Sequence, residues 1–282
     1  MQMSADPKLI KALALDLDGT LLGSGGVLSE KAITVIKKCM QKGLQIIIST
    51  GRSVEGAELI RASLGAGGPQ IYCNGVVVAD MPEGKILKST LMDKKAADFC
   101  IEVSRDTGIY CQVYLLVTDT PVSMSLVTDQ DWPGRELYKK QTGVLAELRD
   151  FKEALYGLNQ IGCVKTMFVA EPEFLEAIKP RLTEHLGSSV YMTRTQRNYL
   201  ELMNPNVSKG QGLKFIMEQF SLKKNEVIAF GDDENDMPMS EAAGFFVAPS
   251  NAKDKVKEIA NLIVGPNTDD GIAAFLEEFF AL

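Results

Sequence analysis

The sequence predicts an α/β protein: a doubly wound, Rossmann-like parallel-sheet core with an inserted α+β unit. Two observations carry this. Apolar runs of strand length alternate with amphipathic helical segments at both ends of the chain. Near-continuous apolar strands separated by helices are the pattern of a parallel sheet covered on both faces. From about residue 90 to 191 the alternation gives way to strand-like runs and longer helices, as expected for antiparallel strands backed by helices on one face. The expected domains are a core built from residues 1–89 and 192–282 and an inserted unit over 90–191.

The elements follow in order. Residues 9–15 form the expected first strand. Ser29 can cap a helix in which Ala32, Val35, Ile36, Cys39 and Met40 recur at helical spacing, and Gly43 stops it. Residues 44–48 read as a buried strand, 53–64 as a helix ended by Gly65, and 70–73 as a strand running into the turn pair Asn74-Gly75. In the insert, Asp93 caps a helix, strands are expected at 109–117, 164–169 and 189–193, and a helix at 172–186. The parallel pattern is expected to resume near Tyr199, with a helix after Ser208, strands at 227–230 and 245–248, and a final amphipathic helix.

Composition narrows the function. The chain has 282 residues, 45% hydrophobic and 24% charged, enough for a sizeable core without covalent staples. With 30 basic and 37 acidic residues the net charge is −7, which argues against a nucleic-acid backbone as the main ligand. No apolar run reaches the roughly 18 residues of a membrane helix. The N-terminal apolar stretch runs straight into acidic residues, unlike a signal peptide, so a cytoplasmic location is expected. Five scattered cysteines without a CxxC pair read as reduced thiols of a cytosolic protein. His185 is the single histidine and reads as a surface residue, so a histidine-rich zinc site is excluded. Trp132 reads as a packing residue, and Gly23-Ser24-Gly25-Gly26 as a flexible turn, not a dinucleotide site.

In open α/β sheets ligands bind beyond the carboxyl ends of the strands, and four polar clusters fall there or at helix starts. The first is Asp16-Leu17-Asp18-Gly19-Thr20. Two carboxylates this close repel unless a cation or shared proton relieves them. One can act as a nucleophile through an acyl-phosphate, the other as general acid and base. The second is Ser49-Thr50-Gly51-Arg52, whose hydroxyl and backbone N–H groups suit a phosphate oxygen. Lys209, at the start of a helix, can neutralise a transferring phosphoryl group. The fourth is Gly231-Asp232-Asp233-Glu234-Asn235-Asp236. Its oxygen-rich side chains suit a hard cation, but it lacks the glycine and glutamate of a calcium EF-hand loop, so magnesium fits better. Read singly, these clusters are a solvated turn, a helix cap, a surface lysine and an acidic loop; together on one edge they describe phosphoryl transfer.

In that order, DLDGT, STGR, Lys209 and GDDEND resemble the four motifs of the haloacid dehalogenase (HAD) superfamily of phosphatases, over the whole chain. The large insert is similar to the C2-type cap of the Cof-like subfamily IIB. The resemblance implies Asp16 as nucleophile and magnesium ligand. It implies Asp18 as acid/base, its backbone carbonyl also on the metal. Thr50 and Lys209 would hold phosphate oxygens with backbone N–H groups near Leu17 and Gly51. Asp232 would bind magnesium, Asp236 would support it, and Asn235 would orient the phosphate or the loop. Asp233 departs from the glycine or small polar residue common there. The expected function is magnesium-dependent hydrolysis of small phosphorylated metabolites, with sugar phosphates the first expectation. Nucleotides and pyridoxal phosphate remain open, as do a phosphomutase and a non-catalytic phosphate sensor. No nucleic-acid or membrane partner is expected.

Overall fold

The computed structural model describes residues 5–132, 135–157 and 160–282. Five parallel strands form the core sheet, in the order Leu262–Val264, Phe245–Pro249, Val227–Phe230, Ala12–Leu15 and Gln45–Ile48. The central strands are apolar throughout because helices cover both faces. Glu30–Gln41, Val54–Leu64 and Gly271–Phe280 pack with Leu13, Leu15, Ile46, Ile48, Ile228 and Phe230 on one side. Lys209–Gln219, Met237–Ala242 and Asp254–Ile259 pack with Ala12, Ala14, Ile47, Ala229 and Phe246 on the other. Each fully buried Leu, Ile or Phe contributes about 1.5–3 kcal/mol relative to exposure.

The helix starts follow the sequence closely. The Ser29, Ser53 and Ser208 hydroxyls accept the N–H groups of Ala32, Gly56 and Gln211, each satisfying a first-turn donor that has no partner within its helix. Register then sets the functional edge. Leu15 lies opposite both Ile48 and Phe230, so three central strands end level and the chain leaves them at Asp16, Ser49 and Gly231.

Two expectations are corrected. The strand near residue 70 does not extend the parallel sheet. Gly68–Tyr72 meets the core strand Gln45–Ile48 through one parallel bridge, Ser49 with Ile71, and through the Gln70 side chain, which bonds the backbone of Ile46 and Ile48, while its strand pairing is antiparallel, in a three-stranded sheet with Val77–Met81 and Lys85–Ser89. Nor does Tyr199 resume the parallel core. Tyr199–Met203 pairs antiparallel with Tyr191–Gln196 and with Gly162–Val169, deep in the sheet of the inserted unit. An apolar run carries no record of strand direction, and the tight turn at 197–198 folds this strand back on its predecessor. We therefore propose a boundary after Met203 in place of 191.

The second sheet runs Tyr191–Gln196, Tyr199–Met203, Gly162–Val169, Tyr110–Asp119, Val122–Thr128 and Glu147–Leu148. Its pairs are antiparallel except the last. Because side chains alternate along a strand, its faces differ. Cys111, Val113, Phe168, Leu200 and Leu202 pack against the helices Lys94–Thr107 and Pro172–Leu186. Gln112, Tyr114, Lys165, Met167 and Glu201 occupy the other face, where Tyr114 stands opposite Lys165 and Glu201 opposite Met167. As expected, all five cysteines are free, and all are buried. Trp132 stacks on Tyr110 (4.6 Å between ring centres), and the exposed His185 stacks on Phe99. No helix among the described residues is long and apolar enough to cross a membrane.

Candidate active site

The level strand ends and the polar face of the second sheet enclose a cavity of about 380 Å³. Asp16, Asp18, Gly51, Arg52, Lys209, Asp232, Asn235 and Asp236 line its core side. Tyr114, Tyr138, Lys165, Met167, Tyr199 and Glu201 line the opposite wall.

Asp16 continues the first strand, its N–H donating to the Phe230 carbonyl at 3.1 Å, so its backbone is fixed to the neighbouring strand. It is 3% exposed. Lys209 Nζ donates to Asp16 Oδ1 and to Asp236 Oδ1, both at 2.6 Å. Asp16 Oδ2 is buried and has no hydrogen-bond partner among the described residues. Burial, then the Asp236 carboxylate, push Asp16 well above its ordinary range, against the pull of Lys209. Burial and then Asp236 also push Asp232 up to about 6. Burial by itself lowers Lys209, but Asp16 and Asp236 more than offset it and hold the ammonium charged.

Asp16, Asp232 and Asp236 form the one group of three potential ligands among the described residues, with an oxygen of each within 4.8 Å of the others. Three carboxylates against one lysine leave negative charge uncompensated, and one buried oxygen lacks a partner. An all-oxygen set of this kind fits a hard divalent cation. Other contacts hold the set in place. Asp236 Oδ2 accepts the N–H groups of Asp232 and Asp233, both at 3.0 Å, and Thr20 Oγ1 donates to Asp232 Oδ1 at 2.9 Å. The extra charge of Asp233 is met by Lys253, 2.6 Å away.

The remaining expected residues divide. Gly51 and Asn235 reach the cavity; Leu17 and Thr50 are buried and do not line it. The Leu17 carbonyl accepts the N–H groups of Thr20, Leu21 and Leu22, which folds the turn after Asp16. Thr50 Oγ1 accepts the Arg52 N–H at 3.1 Å. Asp18 lines the cavity but stands outside the carboxylate trio, 51% exposed, and Arg52 holds it through two bonds, Nε to Oδ2 at 2.8 Å and Nη2 to Oδ1 at 2.6 Å.

Sequence reasoning missed the opposite wall. Lys165 Nζ donates to Glu201 Oε1 at 2.8 Å and to the Gly51 carbonyl at 3.1 Å, and lies 4.7 Å from the centre of the Tyr114 ring. Asn74 Nδ2 donates to Glu201 Oε2 at 3.4 Å, and Asn235 Nδ2 donates to Asn74 Oδ1 at 2.9 Å. One signal was available: Lys165 is a single cation inside a run of apolar residues, at a position where an exposed lysine has no place.

A buried carboxylate beside a lysine, an acidic group that suits a cation and a covering sheet fit a hydrolase of the phosphoryl-transfer kind. Residues 13–276 match the haloacid dehalogenase-like hydrolase family, and the chain belongs to it. It is 28% identical to the pyridoxal phosphate phosphatase YbhA of Escherichia coli, covering 94% of this chain and 97% of that one. It is also 28% identical to the chloroplastic endoribonuclease YBEY of Arabidopsis thaliana, but spans only 44% of that protein. Its fold is similar to that of TM0651 from Thermotoga maritima, with a TM-score of 0.81 at 28% identity over 95% of this chain and 97% of that one. The family, the phosphatase class and the architecture expected from the motifs are met.

Proposed function

We propose that this enzyme hydrolyses small phosphorylated metabolites, sugar phosphates first among them, with magnesium and through a phosphorylated Asp16. The observation that carries this reading is the Asp16 carboxylate. It is buried at the end of a rigid strand, with one oxygen held by Lys209 and the other without a partner. In the first step the Asp16 carboxylate attacks phosphorus, the ester P–O bond breaks, and Asp18 gives the leaving oxygen a proton. In the second, water attacks the aspartyl phosphate, Asp18 takes the proton of that water, and inorganic phosphate leaves. Lys209 offsets charge on the phosphoryl oxygens, with the N–H groups at Leu17 and Gly51, Thr50 and Asn235 assigned to the same task. Magnesium, assigned to Asp16, Asp232 and the Asp18 carbonyl with Asp236 in support, supplies further charge neutralisation when bound.

The mutase reading requires cations for a second phosphate. Arg105, Arg135, Arg149 and Arg181 are absent from the cavity lining among the described residues, and Arg105 and Arg181 pair with acidic residues elsewhere. The test is phosphate release from sugar phosphates, nucleotides and pyridoxal phosphate, with magnesium or EDTA, by wild type and Asp16→Asn. Magnesium-dependent release that the variant lacks supports the reading. A wild type that isomerises a sugar phosphate without releasing phosphate replaces it with the mutase.

A further inference from the structure

The buried pair Lys165–Glu201 belongs to the second sheet, yet its bonds end on the two loops that build the core side of the cavity. Lys165 donates to the carbonyl of Gly51, and Glu201 accepts from the side chain of Asn74. Those loops are themselves tied together. The Cys73 N–H donates to the Arg52 carbonyl at 2.9 Å, and the Asn74 N–H to the Thr50 carbonyl at 3.0 Å. Asn74 also accepts from Asn235 of the acidic loop. The result is a closed hydrogen-bonded ring, from Lys165 to Gly51, across to Asn74, to Glu201 and back.

Burial makes this costly. The two side chains are 2% and 5% exposed. A buried ion pair rarely stabilises a fold more than a well-packed apolar pair of the same size, so stability does not account for its presence. Met167 and Met203 share the same sheet face, and a methionine or leucine at 165 or 201 fits that setting. What an apolar pair lacks is the ability to bond the Gly51 carbonyl and the Asn74 amide. Burial lowers Lys165, but Glu201 more than restores it, so the donor remains charged.

We propose that Lys165 and Glu201 are positioning residues, a latch through which the inserted unit fixes the Gly51 and Asn74 loops for phosphoryl transfer. The proposal rests on the phosphatase reading for its effect on rate, but not for its effect on the loops. Formation of the ring couples seating of the second sheet to the placement of Gly51 and, through Asn74, of Asn235. The latch therefore acts on kcat for every substrate alike, including one too small to touch the opposite wall.

The test is the double variant Lys165→Met/Glu201→Leu, which removes both charges of the pair together and so separates the latch from folding. Two quantities are measured on the full chain with magnesium: kcat for a small aryl phosphate, and hydrogen exchange at the Cys73 and Asn74 amides. The expected result is a melting temperature close to wild type, kcat lower by about tenfold or more, and faster exchange at both amides. Wild-type exchange at those amides overturns the proposal, whatever happens to kcat; a fall in kcat alone then means that the pair contacts substrate directly. Wild-type kcat also overturns it. If the wild type hydrolyses no phosphate ester, the phosphatase reading fails and exchange alone decides the latch.

Discussion

The Arg52 guanidinium grips the Asp18 carboxylate with two bonds of 2.8 and 2.6 Å, joining the polar ends of two adjacent core strands. Asp18 is half exposed, so solvent screens the pair and its contribution to stability is at most about 1 kcal/mol. Its contribution to orientation is larger, because Arg52 also donates to the Gly56 carbonyl and is thereby fixed. Arg52→Ala is expected to leave urea stability within about 1 kcal/mol of wild type and to lower kcat/KM about tenfold. Steady-state kinetics beside a urea titration check both; unchanged kinetics would remove Arg52 from the account.

Lys209 is the counterweight of the carboxylate trio. Lys209→Met leaves Asp16 and Asp236 buried without their partner, at an expected cost of about 3–5 kcal/mol. Turnover should be lost even with saturating magnesium. Loss of turnover with full stability would mean that the trio is already balanced by something other than the lysine.

Metal and pH should act on the same groups with opposite signs. Asp232 is raised from its ordinary 3.8 to about 6, and Asp16 is raised as well, both chiefly by burial and next by Asp236. A carboxylate whose folded value is raised favours folding in its protonated form. That stability is complete below pH 4 and is lost as pH rises through about 6. The metal-free protein should therefore lose melting temperature between pH 5 and 7.5 relative to the magnesium form, with the gain on adding magnesium larger at the higher pH. Calorimetry in EDTA and in magnesium measures it; equal gains at both pH values would contradict the raised carboxylates.

Gly75 has φ +95, and a Cβ there would collide with the Ser208 carbonyl, directly before Lys209. Gly108 has φ +68, but a Cβ there meets nothing within 4 Å. Gly108→Ala should cost only the left-handed strain, about 1–2 kcal/mol. Gly75→Ala should cost more and lower turnover, since the helix start that carries Lys209 must shift. Equal costs from urea unfolding of the two variants would show that the collision is relieved without moving Lys209.

Much of the core side of the cavity could be read from the sequence because each of its polar clusters interrupts an apolar run or opens a capped helix. Asp16 follows four buried residues, and Asp232 follows four more and a glycine. The opposite wall was not legible. Lys165 and Glu201 are 36 residues apart and meet only because two antiparallel strands bring them onto one face. Tyr114 and Tyr138, whose hydroxyls are hydrogen-bonded, come from a strand and a helix with no shared motif. Strand 199–203 was assigned to the wrong sheet for the same reason: its pairing partner, not its composition, decides where it lies. The bidentate hold of Arg52 on Asp18 was hidden too, since a guanidinium just before a helix cap looks like any surface charge.

The five buried thiols give this protein a set of internal reporters, one region at a time. Cys39 sits in the helical layer of the core, Cys73 in the turn beside Asn74, and Cys100, Cys111 and Cys163 in the interior of the second unit. A thiol reagent in bulk solvent can label none of them until its surroundings open. Labelling resolved by peptide thus reads out which body breathes first, and whether the turn at Cys73 loosens ahead of either, without adding any probe to the chain.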